Sequence, residues 1–132
     1  MYSGYLLRIG NDTFPMKYIS EKTYTAYASV QDLDSYRDAN GVLHREALSH
    51  VPIKVEFETK PLDNVEYAEI MQMISKNYIN ELERKVSVTV FIPEKNDYVT
   101  QEAYMAEPQP KISVISGNKI QYEKLRMAFI GY

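Results

Sequence analysis

The sequence predicts an α+β domain: an antiparallel β-sandwich or partly closed barrel, with one long α-helix over about residues 64–83 packed on it and an extended polar loop over about 31–50. Three observations predict it. Apolar residues fall at every second position through Val51-Pro52-Ile53-Lys54-Val55-Glu56-Phe57-Glu58-Thr59, and again at Val86, Val88, Val90 and Ile92, the period of strands with one buried face. A single segment carries apolar residues at helical spacing: Tyr67, Ile70, Met71, Ile74, Tyr78 and Leu82. Turn signals such as Gly10-Asn11, Asn40-Gly41 and Gly117-Asn118 separate short β-forming runs.

Taken in order, Tyr5 to Ile9 and Phe14 to Ile19 read as a hairpin around Gly10-Asn11-Asp12, with Gly10 and Asn11 able to take positive φ. Tyr24 to Val30 reads as a further strand, and Gln31 to Ala39 is too polar for a buried element. Asn40-Gly41 makes a turn, and Val42, Leu43 and Leu48 suggest short β structure before the strand at 51–59, where Pro52 belongs at the start or on an edge. Asp63 is placed to cap the helix, Glu66 completes a capping box, and Leu62 with Tyr67 has the spacing of a hydrophobic staple. Arg84 and Lys85 suit the negative end of a helix that runs to Glu83, a rod of about 30 Å at 1.5 Å per residue. Val86 to Ile92, the turn Pro93 to Asp97 and Tyr98 to Tyr104 form a hairpin. Glu107-Pro108-Gln109-Pro110 is a rigid connector, and Lys111 to Ile115 and Ile120 to Ile130 supply the last strands, with Leu125, Met127 and Phe129 on one face. The expected total is about eight to nine strands in one domain spanning 1–132.

Composition narrows the function classes. With no cysteine, disulfides, thiolate metal sites and cysteine nucleophiles are excluded. A net charge of −3 with scattered Lys and Arg gives no footprint for nucleic acid, so none is expected as a partner. No apolar run reaches the roughly 18 residues of a membrane span, and the N-terminus lacks the pattern of a signal peptide, so synthesis in a cytoplasm is the expectation. Tyrosine is over-represented, at 12 copies against no tryptophan, and an amphipathic ring suits wet contact surfaces.

No constellation supports catalysis, and neither an enzyme nor a cofactor is expected. His44, His50 and Glu46 could share a face of an extended segment, but no third fixed ligand completes a metal site, and both histidines read as residues of a polar loop. Asp32, Asp34 and Asp38 precede Asn40-Gly41 in a pattern like a calcium loop, yet Glu46 falls five residues after Gly41 where that motif requires six. Asp63 and Glu66 are explained by the helix cap, and there is no nucleophile elbow, P-loop or dinucleotide fingerprint.

What remains is the 31–50 loop, longer than a compact domain needs, of a kind commonly functional or ordered by a partner. Its mixed charges suit inter-subunit pairing, and the candidate protein-interface residues are Asp34, Tyr36, Arg37, Asp38, Asn40, His44 and Arg45.

Four blocks carry a resemblance: Tyr5-Leu6-Leu7-Arg8-Ile9-Gly10, the segment QDLDSYRDANGVLHRE, Asn77 to Lys85, and the ending Arg126 to Tyr132. Together they resemble a family of short proteins encoded in the tail modules of Firmicutes phages and prophages. The element order is similar to the N-terminal domain of distal tail proteins and to tail-tube proteins of long-tailed phages, without the carrier domain of full distal tail proteins. That resemblance implies a virion structural protein of the tail or baseplate. It would form a ring, hexameric in those relatives, through sheet edges and an extended loop, with itself and neighbouring tail proteins as partners. The alternative from another class is a monomeric β-sandwich that binds carbohydrate or peptide through exposed tyrosines.

Overall fold

The computed structural model describes residues 1–132. Eleven strands and one α-helix follow in the order β1 (Leu7–Ile9), β2 (Asp12–Thr13), β3 (Thr25–Ala28), β4 (Tyr36–Arg37), β5 (Leu43–His44), β6 (Ile53–Glu58), α1 (Asn64–Ser75), β7 (Lys85–Ile92), β8 (Asp97–Met105), β9 (Ile112–Ser116), β10 (Lys119–Tyr122) and β11 (Arg126–Gly131). Seven of them form one antiparallel sheet in the order β2-β1-β7-β8-β11-β6-β3, while β4-β5 and β9-β10 are separate two-stranded ribbons. The architecture is α+β and sandwich-like. It is not a closed barrel, because β2 and β3 end the sheet without pairing to each other.

The sheet curls so that its two wings share one core. Inward residues alternate without a break along β6 (Ile53, Val55, Phe57) and β7 (Val86, Val88, Val90, Ile92), and all are buried. Phe129 and Met127 of β11 join them, and Phe14 meets Phe57 edge-on at 5.3 Å. Tyr24, just before β3, reaches across the core, and its hydroxyl donates to Phe91 O at 2.7 Å, tying one wing to the other. Burial pushes that phenol well above its ordinary range, so it stays a neutral donor.

Four expectations are corrected. Phe14 to Ile19 is not a strand: after β2, Pro15 (φ −63) leads into a 3₁₀ turn over Met16–Tyr18. Phe14 and Ile19 still reach the core from either side of that turn. In the preceding hairpin Gly10 (φ +58) takes positive φ and Asn11 does not. The strand total rises to eleven because the 31–50 segment holds two short strands of its own (β4 and β5) and the stretch expected as Ile120 to Ile130 divides into β10 and β11.

The fourth correction concerns the helix. Its start is as expected: Asp63 Oδ1 accepts from the Glu66 amide at 2.8 Å, and Glu66 Oε1 accepts from the Asp63 amide at 3.1 Å. It ends at Ser75, not Glu83, and twelve residues give a rod of about 18 Å. The stop is made by Asn77, whose Nδ2 donates both to Met73 O and to Asp12 Oδ2, each at 2.8 Å. The amides of Asn77 and Tyr78 then tighten onto Ile74 O and Ser75 O. Lys76 adds an ion pair to Asp12 at 3.2 Å, so the helix terminus is pinned to the β1–β2 turn. Gly10 makes room for this, since a Cβ there would lie 2.8 Å from Asn77 Cγ. Lys85 accordingly opens β7 instead of facing a helix end, and Arg84 (φ 54) turns the chain into it. Of the apolar stripe, Ile70 and Ile74 are buried while Leu82 is 98% exposed.

These positions separate in stability. Ile74→Ala is expected to cost about 2–5 kcal/mol in urea unfolding and Leu82→Ser less than about 0.5 kcal/mol. A helix buried along its full expected length would make the two comparable.

Candidate interaction surfaces

Residues 31–50 connect β3 to β6 as an ordered antiparallel arm, not an irregular loop. Tyr36 pairs with His44 and Arg37 with Leu43, an isolated bridge joins Asp32 to Ala47, and the Leu33 amide donates to Glu46 O at 2.8 Å. Between the Asp32 and Tyr36 pairs, three residues (33–35) face two (45–46), so the ladder holds one extra residue. Asp34 absorbs it with φ 50, the left-handed conformation that aspartate tolerates better than most residues. Every residue from 30 to 50 is exposed except Asp38, which is half-buried.

Asp38 organises the tip. Its Oδ1 accepts from the amides of Asn40 (2.9 Å) and Val42 (3.0 Å), and its Oδ2 lies 2.9 Å from His44 Nε2. The Gly41 amide closes the turn onto Asp38 O, with Gly41 at φ +79. The His44 contact, followed by the Val42 amide, holds the Asp38 carboxyl below the usual carboxylate range. Tyr36 stacks on His44 at 4.9 Å and 11°. Arg37 Nη1 donates to Gly41 O at 2.9 Å, and Arg45 engages both oxygens of Asp32, which holds that carboxyl low as well.

The seven expected interface residues therefore sit together on one projecting element, but most of their charge is spent inside it. Arg37, Asp38, His44 and Arg45 make the arm's own contacts, Asn40 supplies turn backbone, and Asp34 supplies the extra residue. What the arm leaves uncommitted is largely apolar, with Glu46 and Asp34 as its unpaired charges. The pairing puts Leu33, Tyr36, His44, Glu46 and Leu48 on one face, and Asp32, Arg37, Leu43, Arg45 and Ala47 on the other. Leu33, Tyr36 and Leu48 are 51%, 60% and 46% exposed.

The arm is anchored at its root. Gln101 of β8 accepts from the Ile53 amide (3.1 Å) and donates to Val51 O (2.8 Å), fixing the chain as it re-enters the sheet. The amide passes over Gly131, where a Cβ would lie 2.6 Å from Gln101 Oε1. His50 bonds to Tyr132 O, and the Ser29 amide to Pro52 O.

A second exposed element has strands the sequence predicts and an exposure it does not. The β9–β10 ribbon packs only along its β10 side, where Asp63 bridges Gln121, the Tyr122 amide donates to Leu62 O (2.7 Å) and Tyr122 meets Tyr67 at 5.4 Å. All of β9 is exposed, including Ile112, Val114 and Ile115. Ile115 pairs with Ile120, and after a register shift Tyr122 pairs with Ile112, which leaves Ser113 as the extra residue. The shift brings Ile112, Ile115, Ile120 and Tyr122 onto one face. Apolar spacing of i, i+3 within a β-forming run, at Leu33/Tyr36 and Ile112/Ile115, is the signal that would have found both surfaces.

Elsewhere the molecule offers little to a small ligand. No three His, Asp or Glu side chains gather as metal ligands, His44 and His50 serve separate contacts, and no helix is long and apolar enough to cross a membrane. Of the exposed tyrosines Tyr2, Tyr27, Tyr36, Tyr104 and Tyr132, Tyr104 and Tyr132 pack edge-on at 5.7 Å and the others lie on separate segments, and none of the three principal clefts holds more than one tyrosine.

Over residues 1–132 the chain matches the family described as Family of unknown function (DUF6711), and it belongs to that family. No curated protein matches it in sequence. Two solved structures are similar to it, one described as "Tail of empty GTA particle computed with helical refinement, C6 symmetry" and the other as "Virion of native gene transfer agent (GTA) particle". Each matches with a TM-score of 0.50 at 15% sequence identity, covering 100% of this chain and 96% of the other. At that identity the likeness is one of fold.

The arm's tip is expected to respond to acid. Because Asp38 is held below its ordinary value of 3.8 in the folded arm, its contribution is complete above that value and is lost as the pH falls through the lowered one. In amide NMR, Asn40 and Val42 should shift together in that window while β7 amides stay fixed, and Asp38→Asn should abolish the response.

Proposed function

We propose that this DUF6711 chain is a structural component of the tail of a phage-like particle, a subunit that joins copies of itself into a ring and contacts neighbouring tail proteins. The observation that carries this reading is the whole-length fold likeness to a chain from a gene transfer agent tail with C6 symmetry. A sixfold arrangement is the ring that likeness favours. Its place of action is then the assembled particle, after synthesis in the host cytoplasm.

Two features of the chain support the reading. A ring subunit needs a rigid body and a limb that reaches its neighbour, because a heterologous contact closes when its rotation divides a full turn. The curled sheet supplies the body, and the arm, internally bonded and anchored by Gln101, supplies the limb. The edge strands β2 and β3 are short, of two and four residues, so each offers a limited ladder for a neighbour to extend. Asp34, Tyr36, Arg37, Asp38, Asn40, His44 and Arg45 serve this contact by holding the arm's shape as much as by touching the neighbour. The reading requires no reaction centre and no cofactor.

Light scattering coupled to size exclusion, with negative-stain microscopy, tests it. Full-length protein is expected to form rings, and deletion of Ser35 to Arg45 to abolish them while thermal unfolding stays cooperative. A full-length protein that remains monomeric at high concentration would falsify the reading.

A further inference from the structure

The two exposed ribbons leave the sheet at opposite ends. The arm joins β3 to β6 at the end where Ala28 pairs with Ile53. The β9–β10 ribbon lies between β8 and β11, and β11 begins at the other end of β6, where Arg126 pairs with Glu58. Six residues of β6 separate the two exits, roughly 20 Å at 3.3 Å per residue. One molecule therefore carries two exposed apolar strips on elements that leave the sheet at opposite ends. Such strips meet only between copies, head to tail.

Their charges are complementary. Residues 31–50 hold four acidic side chains (Asp32, Asp34, Asp38, Glu46) against two arginines, and the ribbon with its root, residues 111–124, holds Lys111, Lys119 and Lys124 against Glu123. Asp34, Glu46 and Lys111 take part in none of the molecule's ion pairs, and Lys119 has only a loose contact to Asp63 at 3.9 Å. Glu46 lies on the arm's apolar face beside Leu33, so charge and apolar surface come on the same side.

We propose that the arm of one copy docks by its Leu33–Tyr36–Leu48 face on the Ile112–Ile115–Ile120 face of the β9–β10 ribbon of the next copy, with Asp34 and Glu46 drawn toward Lys111 and Lys119, which flank that strip at its two ends. This assigns the contact surfaces of the assembly proposed above and rests on that reading. The apolar faces supply the burial, and the charges set direction and register against arm-to-arm or ribbon-to-ribbon pairing, where like charges meet.

The cysteine-free sequence makes the test direct. Leu33→Cys and Ile115→Cys are made as separate full-length variants and treated with a short bismaleimide. Covalent dimer is expected in the mixture of the two and absent from either variant alone. As an independent readout, the pair Lys111→Glu and Lys119→Glu should abolish assembly, and mixing with a chain carrying Asp34→Lys and Glu46→Lys should restore dimer formation, while far-UV circular dichroism confirms that each variant is folded. If rings form but cross-links join Leu33→Cys to itself, or fail in the mixture, the docking assignment is overturned and ring assembly stands. A chain that never associates overturns both.

Discussion

A single curled sheet has to supply both walls of its own core. Seven strands, a twelve-residue helix and the turn over Met16–Tyr18 form most of the wall around the apolar interior, so the wing ending in β3 must swing over the wing containing β7. The Tyr24 hydroxyl bond to Phe91 O spans that fold, with the ring of Tyr24 lying near-parallel to Phe57 at 6.5 Å. A phenol is suited to this place: its ring adds apolar area to the core and its hydroxyl satisfies a backbone carbonyl on the opposite wing. Once the wings meet, the interior is complete. The arm and the β9–β10 ribbon are left outside with side chains the core has no room to take.

Much of this was legible in the sequence because strict period-two alternation reports burial directly. Val51 to Thr59 and Val86 to Ile92 alternate in the structure as their composition indicates, and the capping box at Asp63 and Glu66 forms as its spacing requires. The helix end was not legible, because Tyr78 and Leu82 continue the 3.6-residue pattern past the true stop. That stop is a tertiary event, in which Asn77 is captured by an aspartate 65 positions earlier in the chain. Pro15 was visible, yet Phe14 and Ile19 look like strand residues because both are buried, and burial from a turn has no periodicity of its own.

The arm divides in the same way. Its extent, its exposure and its Asn-Gly turn were legible. Its internal order was not, because the ion pair of Asp32 with Arg45 and the bonds of Asp38 to Val42 and His44 depend on a register that composition does not state. Charges that read as free for a neighbour prove to be occupied. This changes the energetics of any association: an arm that is already folded and held by Gln101 gives up less conformational entropy on docking than a disordered loop would.

The extra residues at Asp34 and Ser113 have a consequence for how such a surface could change over time. Each inserts a half-step into a two-residue repeat, and everything beyond it on that strand is turned over relative to what lies before. Losing one codon at either position would leave Leu33 and Tyr36, or Ile112 and Ile115, two apart in an unbroken alternation and so still on one side, which lets the strip survive that loss without touching the core. Substitution within the strip, and not loss of the extra residue, is then the simplest genetic route by which this scaffold could discard its stickiness.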